Sequence, residues 1–261
     1  MPLSGNQIDS LGKRLKASDQ VATDDLDLLE ELLSEHAAAL LALEDRLRSL
    51  GLSPHGRLKT SQTIVEKLQR EPLSLRGVHD LAGTRVVHKM TLDQHTELSE
   101  AILRVCPGAK LLDRRVQPSH GYRAVHVNTK VDDRWVEIQL RTLYQDTWAQ
   151  TTEWFADRWG RQMRYGHAPN DPDAPFGAQT SPPYTRGEAW AIRLRLSDQI
   201  KQVEADENAG SIDPENLVRK AVYVMRDALT LPDVPTAPAL PLPSNRGPGV
   251  LGEEDGGTVT P

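Results

Sequence analysis

Gly121-Tyr122-Arg123-Ala124-Val125-His126-Val127 and Val136-Glu137-Ile138-Gln139-Leu140-Arg141-Thr142 decide the reading of this chain. Both stretches alternate as half-buried strands do, and the polar turn Asp132-Asp133-Arg134 joins them into a hairpin. An aromatic ring, a histidine, two arginines and a carboxylate thereby lie along it. A ring can stack a base, cations can hold phosphate, and a carboxylate can bind a metal or take a proton. Polar residues on the outer face of an ordinary hairpin give the same pattern, so spacing alone leaves both readings open.

Working outward, Gly83 to Met90 is a short run containing β-branched Val86 and Val87, which predicts a strand. Residues 92–105 return to helical period, and Lys110 to Val116 suits another strand. The centre thus reads strand–helix–strand–strand–strand, an α+β domain with a mixed sheet flanked by helices.

Upstream, residues 21–50 form one amphipathic helix, with Leu26, Leu29, Leu33, Leu40, Leu43 and Leu47 at helical spacing and Thr23 and Asp24 as N-cap candidates. Gly51 to Gly56, with Pro54, reads as a loop, and a second helix covers 60–70 with Ile64, Val65 and Leu68 inward. Downstream, residues 143–163 make an aromatic helix whose Trp148, Trp154, Phe155 and Trp159 suit core and interface better than a ligand platform. Residues 166–185 are rich in Pro, Gly, Asn and Asp and read as a long loop or lid. Helical patterns follow at Glu188 to Val203 and Pro214 to Leu231, and from Pro232 the composition predicts disorder. The expected division is an N-terminal helical extension over 1–50, a core over 51–165, a loop and C-terminal helices over 166–231, and a tail over 232–261.

A length of 261 residues suits one good-sized domain with additions, and a net charge of −6 speaks against a broad nucleic-acid-coating surface. Cys106 is the only cysteine, which excludes an intrachain disulfide framework and fits a reducing cytoplasm. The expected location is therefore cytoplasmic, with no signal pattern at Met1-Pro2-Leu3-Ser4-Gly5 and no apolar run of membrane-spanning length.

Three further clusters line up with the hairpin. They are Gly56-Arg57-Leu58-Lys59 with Thr63-Ile64-Val65-Glu66-Lys67-Leu68, then His79-Asp80-Leu81-Ala82-Gly83-Thr84-Arg85, and last Gln145-Asp146-Thr147-Trp148-Ala149. In this order the chain resembles the synthetase domain of the RelA/SpoT family over roughly residues 50–160. It is similar to the small synthetases, which lack a hydrolase domain.

The resemblance implies a nucleotidyltransferase-like fold and transfer of pyrophosphate from ATP to the ribose 3′-hydroxyl of GDP or GTP, giving (p)ppGpp. It implies Mg²⁺ as cofactor, with Asp80 as a ligand and Glu137 as a second ligand, a base for the hydroxyl, or both. Two carboxylates plus substrate phosphates suit this hard cation. Arg57 and Arg85 would sandwich adenine, while Lys59, Lys67 and Thr63 would hold the ATP phosphates, Thr63 standing where the family usually has serine. Tyr122 would stack the acceptor guanine, and Arg123 and His126 would contact acceptor phosphates. Gln139 and Arg141 share a strand face with Glu137 and would orient it, Gln139 also reaching the ribose.

Two departures fall on the acceptor side. No lysine precedes Gly121-Tyr122; the segment is Val116-Gln117-Pro118-Ser119-His120, with Arg114 and Arg115 displaced upstream. After Trp148-Ala149 the family's Glu-His pair is missing, the sequence being Gln150-Thr151-Thr152-Glu153-Trp154, and Arg158 replaces a lysine. The acceptor can therefore differ. Alternatives are tRNA, whose phosphates Arg114, Arg115, Arg158, Arg161 and Arg164 could contact, an adenine nucleotide, or no transfer at all in a nucleotide-binding module. The same three arginines after Trp154 also suit a helix C-terminus. The amphipathic helices at both ends of the motif region can pack on the core, on a second subunit in a homo-oligomer, or on an antitoxin.

Overall fold

A computed structural model of the chain describes residues 2–17, 20–175 and 185–205. The hairpin is present as β4 (Val125–Val131) and β5 (Arg134–Thr142), closed by Asp132 and Asp133, both at positive φ. Two such residues make the mirror-image turn whose twist matches the flanking strands. The remaining strands are β1 (His55–Leu58), β2 (Ala82–His88) and β3 (Lys110–Asp113). They form one sheet in the order β1-β2-β5-β4-β3, with β2 and β5 parallel and every other pair antiparallel. The parallel pair sets Gly83 beside Glu137 and Arg85 beside Gln139.

Alternation along β4 and β5 divides the sheet's faces. Val125, Val127, Val136, Ile138 and Leu140 point to one side and are fully buried. Beneath them lie α2 (Thr23–Ser49), through Leu40, Leu43 and Leu47, and α4 (Leu92–Val105), through Ile102. Fully burying each such side chain contributes roughly 1.5–3 kcal/mol, which fixes which face looks outward. The opposite face carries His126, Asn128, Trp135, Glu137, Gln139 and Arg141 and is the face that can meet a ligand.

Further helices flank this sheet. α1 (Gly5–Ala17) and α3 (Ser61–Arg70) join the first half of α2 in a second apolar cluster. α5 (Leu143–Trp159) and α6 (Arg186–Ala205) form a third, built on Trp148, Phe155, Trp159, Trp190 and Leu196. The described residues thus form an α+β fold, a mixed five-stranded sheet within six helices. Among the described residues no helix is long and apolar enough to cross a membrane.

Several elements differ from expectation. The Gly51–Gly56 loop runs into β1, an edge strand exposed at every residue and so without the alternation that marks a strand. Gly56 lies there because a Cβ would meet Glu44 Oε1 at 2.5 Å and Leu40 Cδ2 at 2.9 Å. Gly121 to Arg123 are not strand; the chain turns at His120 and Gly121, both at positive φ, before β4 begins. The cap of α2 is Ala22, without a side-chain bond, rather than Thr23 or Asp24. The third strand stops at Asp113, where Arg115 folds back onto the carboxylate. The helix expected over 143–163 breaks at Gly160 into a tighter turn, Arg161–Tyr165. Helix α1 was not separately expected, although Ile8, Leu11 and Leu15 mark its buried stripe. The expected helix at 214–231, the tail beyond it and residues 176–184 of the expected 166–185 loop lie outside the described residues.

Candidate active site

Asp80 sits just before β2, where Lys59 and Lys67 converge on it. Lys59 Nζ is 2.8 Å from Oδ2 and Lys67 Nζ is 3.0 Å from Oδ1. Local sequence explains the convergence. Thr60 caps α3 through the Thr63 amide, Ile64 and Leu68 bury the helix's inner face, and Lys67 then faces the strand end. Burial alone would raise the Asp80 carboxyl, but hydrogen bonds and charge from Lys59 and Lys67 outweigh it and hold it below the usual carboxylate range.

Glu137 faces the same cleft from β5, beside Arg57, Lys59, Asp80, Arg85 and Gln139. Its Oε1 accepts from His126 Nδ1 at 2.8 Å and its Oε2 from Gln139 Nε2 at 2.7 Å. Burial pushes this carboxyl up too, yet the His126 and Gln139 bonds win and keep it ionised well below neutrality. The contacts continue. Arg141 donates to Gln139 Oε1 at 2.8 Å and to the Tyr122 hydroxyl at 3.0 Å, and that hydroxyl lies 3.0 Å from His126 Nε2. Glu137, His126, Tyr122, Arg141 and Gln139 therefore form a closed ring of hydrogen bonds. With Nδ1–H donated to Glu137, His126 accepts the Tyr122 hydroxyl at Nε2, so both ring nitrogens are partnered, while the Arg141 Nε is buried without a hydrogen-bond partner among the described residues. Burial pushes the Tyr122 phenol up, against the pull of Arg141, so it remains a donor.

Asp146 anchors the cationic side. Its Oδ1 takes Arg141 at 2.8 Å and Arg85 at 3.3 Å, and Gln150 binds its other oxygen. The expected site residues omitted Asp146, although it stood inside a recognised cluster; its burial at a helix start could not be read from the motif.

Arg57 and Arg85 are diagonal neighbours on one face of the β1–β2 pair, since His55 opposes Arg85 and Arg57 opposes Gly83. Diagonal neighbours stand roughly 7–8 Å apart, about twice the contact distance of stacked carbon atoms near 3.5 Å. The cleft between them holds about 20 Å³, little more than one water requires. A second cleft of about 420 Å³ meets it at Lys59 and Asp80 and runs past Thr63, Lys67 and Arg70 to Arg164 and Tyr165.

The residues expected at the site are thus assembled around two joined clefts and the ring, with one exception. Arg123 is buried and turned away: its guanidinium reaches Ser197, Asp198 at 2.7 Å and the Arg115 carbonyl. The expected contact with acceptor phosphates does not follow from this placement. Asn128 stands opposite Glu137 in register, and its Oδ1 is buried with no hydrogen-bond partner among the described residues.

Asp80 and Glu137 supply hard carboxylate oxygens to one cleft, which fits Mg²⁺ provided substrate phosphates complete its shell. Among the described residues no three acidic, histidine or cysteine side chains group as a metal cage.

Residues 56–156 match the family model described as the region found in RelA / SpoT proteins. The chain is 33% identical over 176 residues to the uncharacterized proteins Rv1366 of Mycobacterium tuberculosis and Mb1401 of Mycobacterium bovis. That stretch is 64% of this chain and 64% of each relative, so the chain spans just under two-thirds of their length. Among solved structures, small alarmone synthetase 1 from Bacillus subtilis, bound to its product pppGpp, superposes with a TM-score of 0.50 at 16% identity, over 76% of this chain and 99% of that one. A GTP pyrophosphokinase family protein from Streptococcus pneumoniae gives 0.50 at 20% identity, over 75% and 97%. At such identities the likeness is one of fold.

Proposed function

We propose, for a chain whose residues 56–156 are a RelA/SpoT region, that it transfers the β,γ-pyrophosphate of ATP to the ribose 3′-hydroxyl of GDP or GTP. The observation that carries this reading is the pairing of Asp80 and Glu137 across one cleft, each with its own cationic or hydrogen-bonding escort.

On this reading the adenine enters between Arg57 and Arg85, where flat, delocalised cations stack on a purine better than ammonium groups would. Lys59 and Lys67 exchange the Asp80 carboxylate for phosphate oxygens when ATP arrives. Their charge then lies on the donor, and both oxygens of Asp80 are released. Asp80 and Glu137 would hold Mg²⁺ there, and the cation, when bound, would neutralise charge on the phosphates and on the departing AMP. The acceptor base lies against Tyr122, with the ribose toward Gln139 and Glu137. The 3′-oxygen attacks the β-phosphorus, the bond from that phosphorus to the α,β-bridging oxygen breaks, and AMP leaves with that oxygen. The hydroxyl proton passes to the Glu137 carboxylate, which the His126 and Gln139 bonds keep ionised and aimed.

A long phosphate-bearing acceptor such as tRNA is less well served. Arg115 is held by Asp113 at 2.7 Å, Arg164 by Glu153 and Asp157 at 2.7 and 2.5 Å, Arg161 lies 3.5 Å from Glu66, and Arg158 covers the Trp154 ring. Cations committed to carboxylates release few counterions on binding nucleic acid. The test is a transfer assay with γ-labelled ATP and Mg²⁺, with GDP, GTP, ATP alone or deacylated tRNA in separate tubes. Label on guanine nucleotide is the expected result. Label on tRNA alone, or on nothing while ATP still binds, overturns the acceptor assignment.

A further inference from the structure

Arg193, near the middle of α6, heads the largest fully buried side chains of the described residues, at 1% exposure. No carboxylate among those residues pairs with it. Its guanidinium lies between two indoles instead, 3.5 Å from the Trp190 ring centre and 4.5 Å from that of Trp148. Burial pushes its pKa down to about 9, the mark of a cation kept where a cation is costly. An apolar side chain of similar volume would fill this space with no desolvation cost. What the guanidinium adds is direction: NH2 donates to the His120 carbonyl at 2.8 Å and NH1 to Thr152 Oγ1 at 3.2 Å.

The His120 carbonyl belongs to the loop that carries Tyr122. His120 has φ of 52°, rare for a residue with a side chain, and Gly121 has φ of 87°. A Cβ on Gly121 would stand 2.8 Å from Trp148 Cζ2, so the loop is pressed against the indole that Arg193 stacks on. Helix α6 grips the same loop twice more. Ser197 Oγ donates to the Gly121 carbonyl, and Arg123 donates to Ser197 Oγ at 3.1 Å and to Asp198 at 2.7 Å. Residues 120, 121 and 123 are each tied to this one helix, and Tyr122 is left between them.

We propose that Arg193 is a positioning residue for the acceptor: it clamps the His120–Arg123 turn onto α6 and so sets where the Tyr122 ring meets the acceptor base. The assignment of that base to a guanine nucleotide rests on the function proposed above; the clamp does not. The residues given to the donor lie on or beside β1, α3 and β2, and none of the contacts of Arg193 reaches them, so ATP binding should survive its loss.

Two readouts on the full chain test this. The first needs no activity: amide hydrogen exchange at residues 119–123, compared between the native chain and Arg193→Met, which keeps bulk and removes the donors. Exchange there should quicken at least about tenfold while α3 and β2 stay as they were. The second is kinetic, with GDP and ATP each varied against saturating partner. Arg193→Met should raise the KM for GDP about tenfold, as loss of a charged hydrogen bond does, and leave the KM for ATP unchanged. Arg193→Lys should behave like Arg193→Met, because an ammonium keeps the charge without the planar fork. Ser197→Ala loosens the same turn from a second point and serves if Arg193→Met does not fold. Unchanged exchange in the turn, or equal rises in both KM values, overturns the clamp. Quickened exchange in a chain whose native form labels no guanine nucleotide supports the clamp and overturns the acceptor assignment alone.

Discussion

Tyr122→Phe separates the hydrogen-bonding role the structure gives this residue from the base-stacking role proposed for it. The ring survives, so stacking on a base is retained, but the hydroxyl that links Arg141 to His126 is lost. Arg141 keeps Gln139 and Asp146. His126 Nε2 loses its partner in a site where the imidazole is only 12% exposed. Leaving one buried polar atom unsatisfied costs about 1–3 kcal/mol. For a chain of this size each kcal/mol lowers Tm by roughly 2–4 °C, so a fall of about 4–8 °C is the central expectation. With His126 unpinned, Glu137 loses its fixed tautomeric partner, and kcat should fall by about ten- to a hundredfold as other orienting contacts do when removed. The acceptor KM should change little. Tyr122→Ala should instead raise that KM by about tenfold or more, since base–aromatic stacking contributes roughly 1–3 kcal/mol. Thermal unfolding by circular dichroism and steady-state transfer rates read both quantities. If Tyr122→Phe leaves Tm and kcat at native values, the hydrogen-bond ring does not hold Glu137 and the argument from it collapses.

Asp80→Asn should lower transfer by at least about a hundredfold, the usual scale for losing one charged group at such a site, while circular dichroism shows the fold intact; activity within a few-fold of native removes Asp80 from the chemistry. Arg85→Ala should weaken ATP binding, measured calorimetrically, far more than GDP binding, because Arg85 lines the narrow cleft beside Arg57 whereas Tyr122 keeps Arg141 over its ring; equal losses would contradict adenine stacking. Glu204, buried against the first turn of α5, has its carboxyl pushed up to about 7 by burial, which outweighs the bonds from Thr142 and Gln145 and the charges of Arg123 and Arg115. The folded chain then holds a proton that the unfolded chain has released, so stability falls as pH rises from the ordinary carboxylate range through about 7. Glu204→Gln should abolish that slope, gaining Tm relative to the native chain between about pH 5 and pH 8; parallel pH curves for the two proteins would refute it.

The hairpin, the parallel strand before it and the helix between were legible because one sheet face is mostly apolar and the other mostly polar, so alternation survived in β4 and β5. Strand β1 was not legible. It is exposed at every residue, and its partner β2 lies beyond an intervening helix, so no local pattern announces it. Arg57 was read as a motif member without being seen as a strand residue. Asp80 and Lys67 were legible as motif members, but their ion pair depends on the capping of α3 and on where β2 begins, which are tertiary facts. Arg123 shows the reverse failure. It follows Tyr122 directly in the motif, yet the left-handed turn at His120 and Gly121 points it to α6. Neither Arg193 nor Glu204 carried any signal, since a charged residue within an amphipathic helix reads as surface until its neighbours are known.

These failures share a location. The residues proposed to handle the donor, from Arg57 to Arg85, lie inside the stretch 56–156 and on elements that contact one another directly. The His120–Arg123 turn is also inside that stretch, but the α6 residues that bind it are not: Arg193, Ser197 and Asp198 lie beyond residue 156. Glu204 of the same helix binds Thr142 and Gln145, the two residues that start α5 and carry Asp146 toward Arg85 and Arg141. Substitutions along α6 can therefore move Tyr122 and the Arg141 side of the ring while leaving Lys59, Lys67 and Asp80 untouched. A chain built this way can keep one donor chemistry and vary its acceptor through a helix that shares no motif with either. The departures at residues 116–120 and 150–154 fit that division, since Arg193 meets both segments, at His120 and at Thr152.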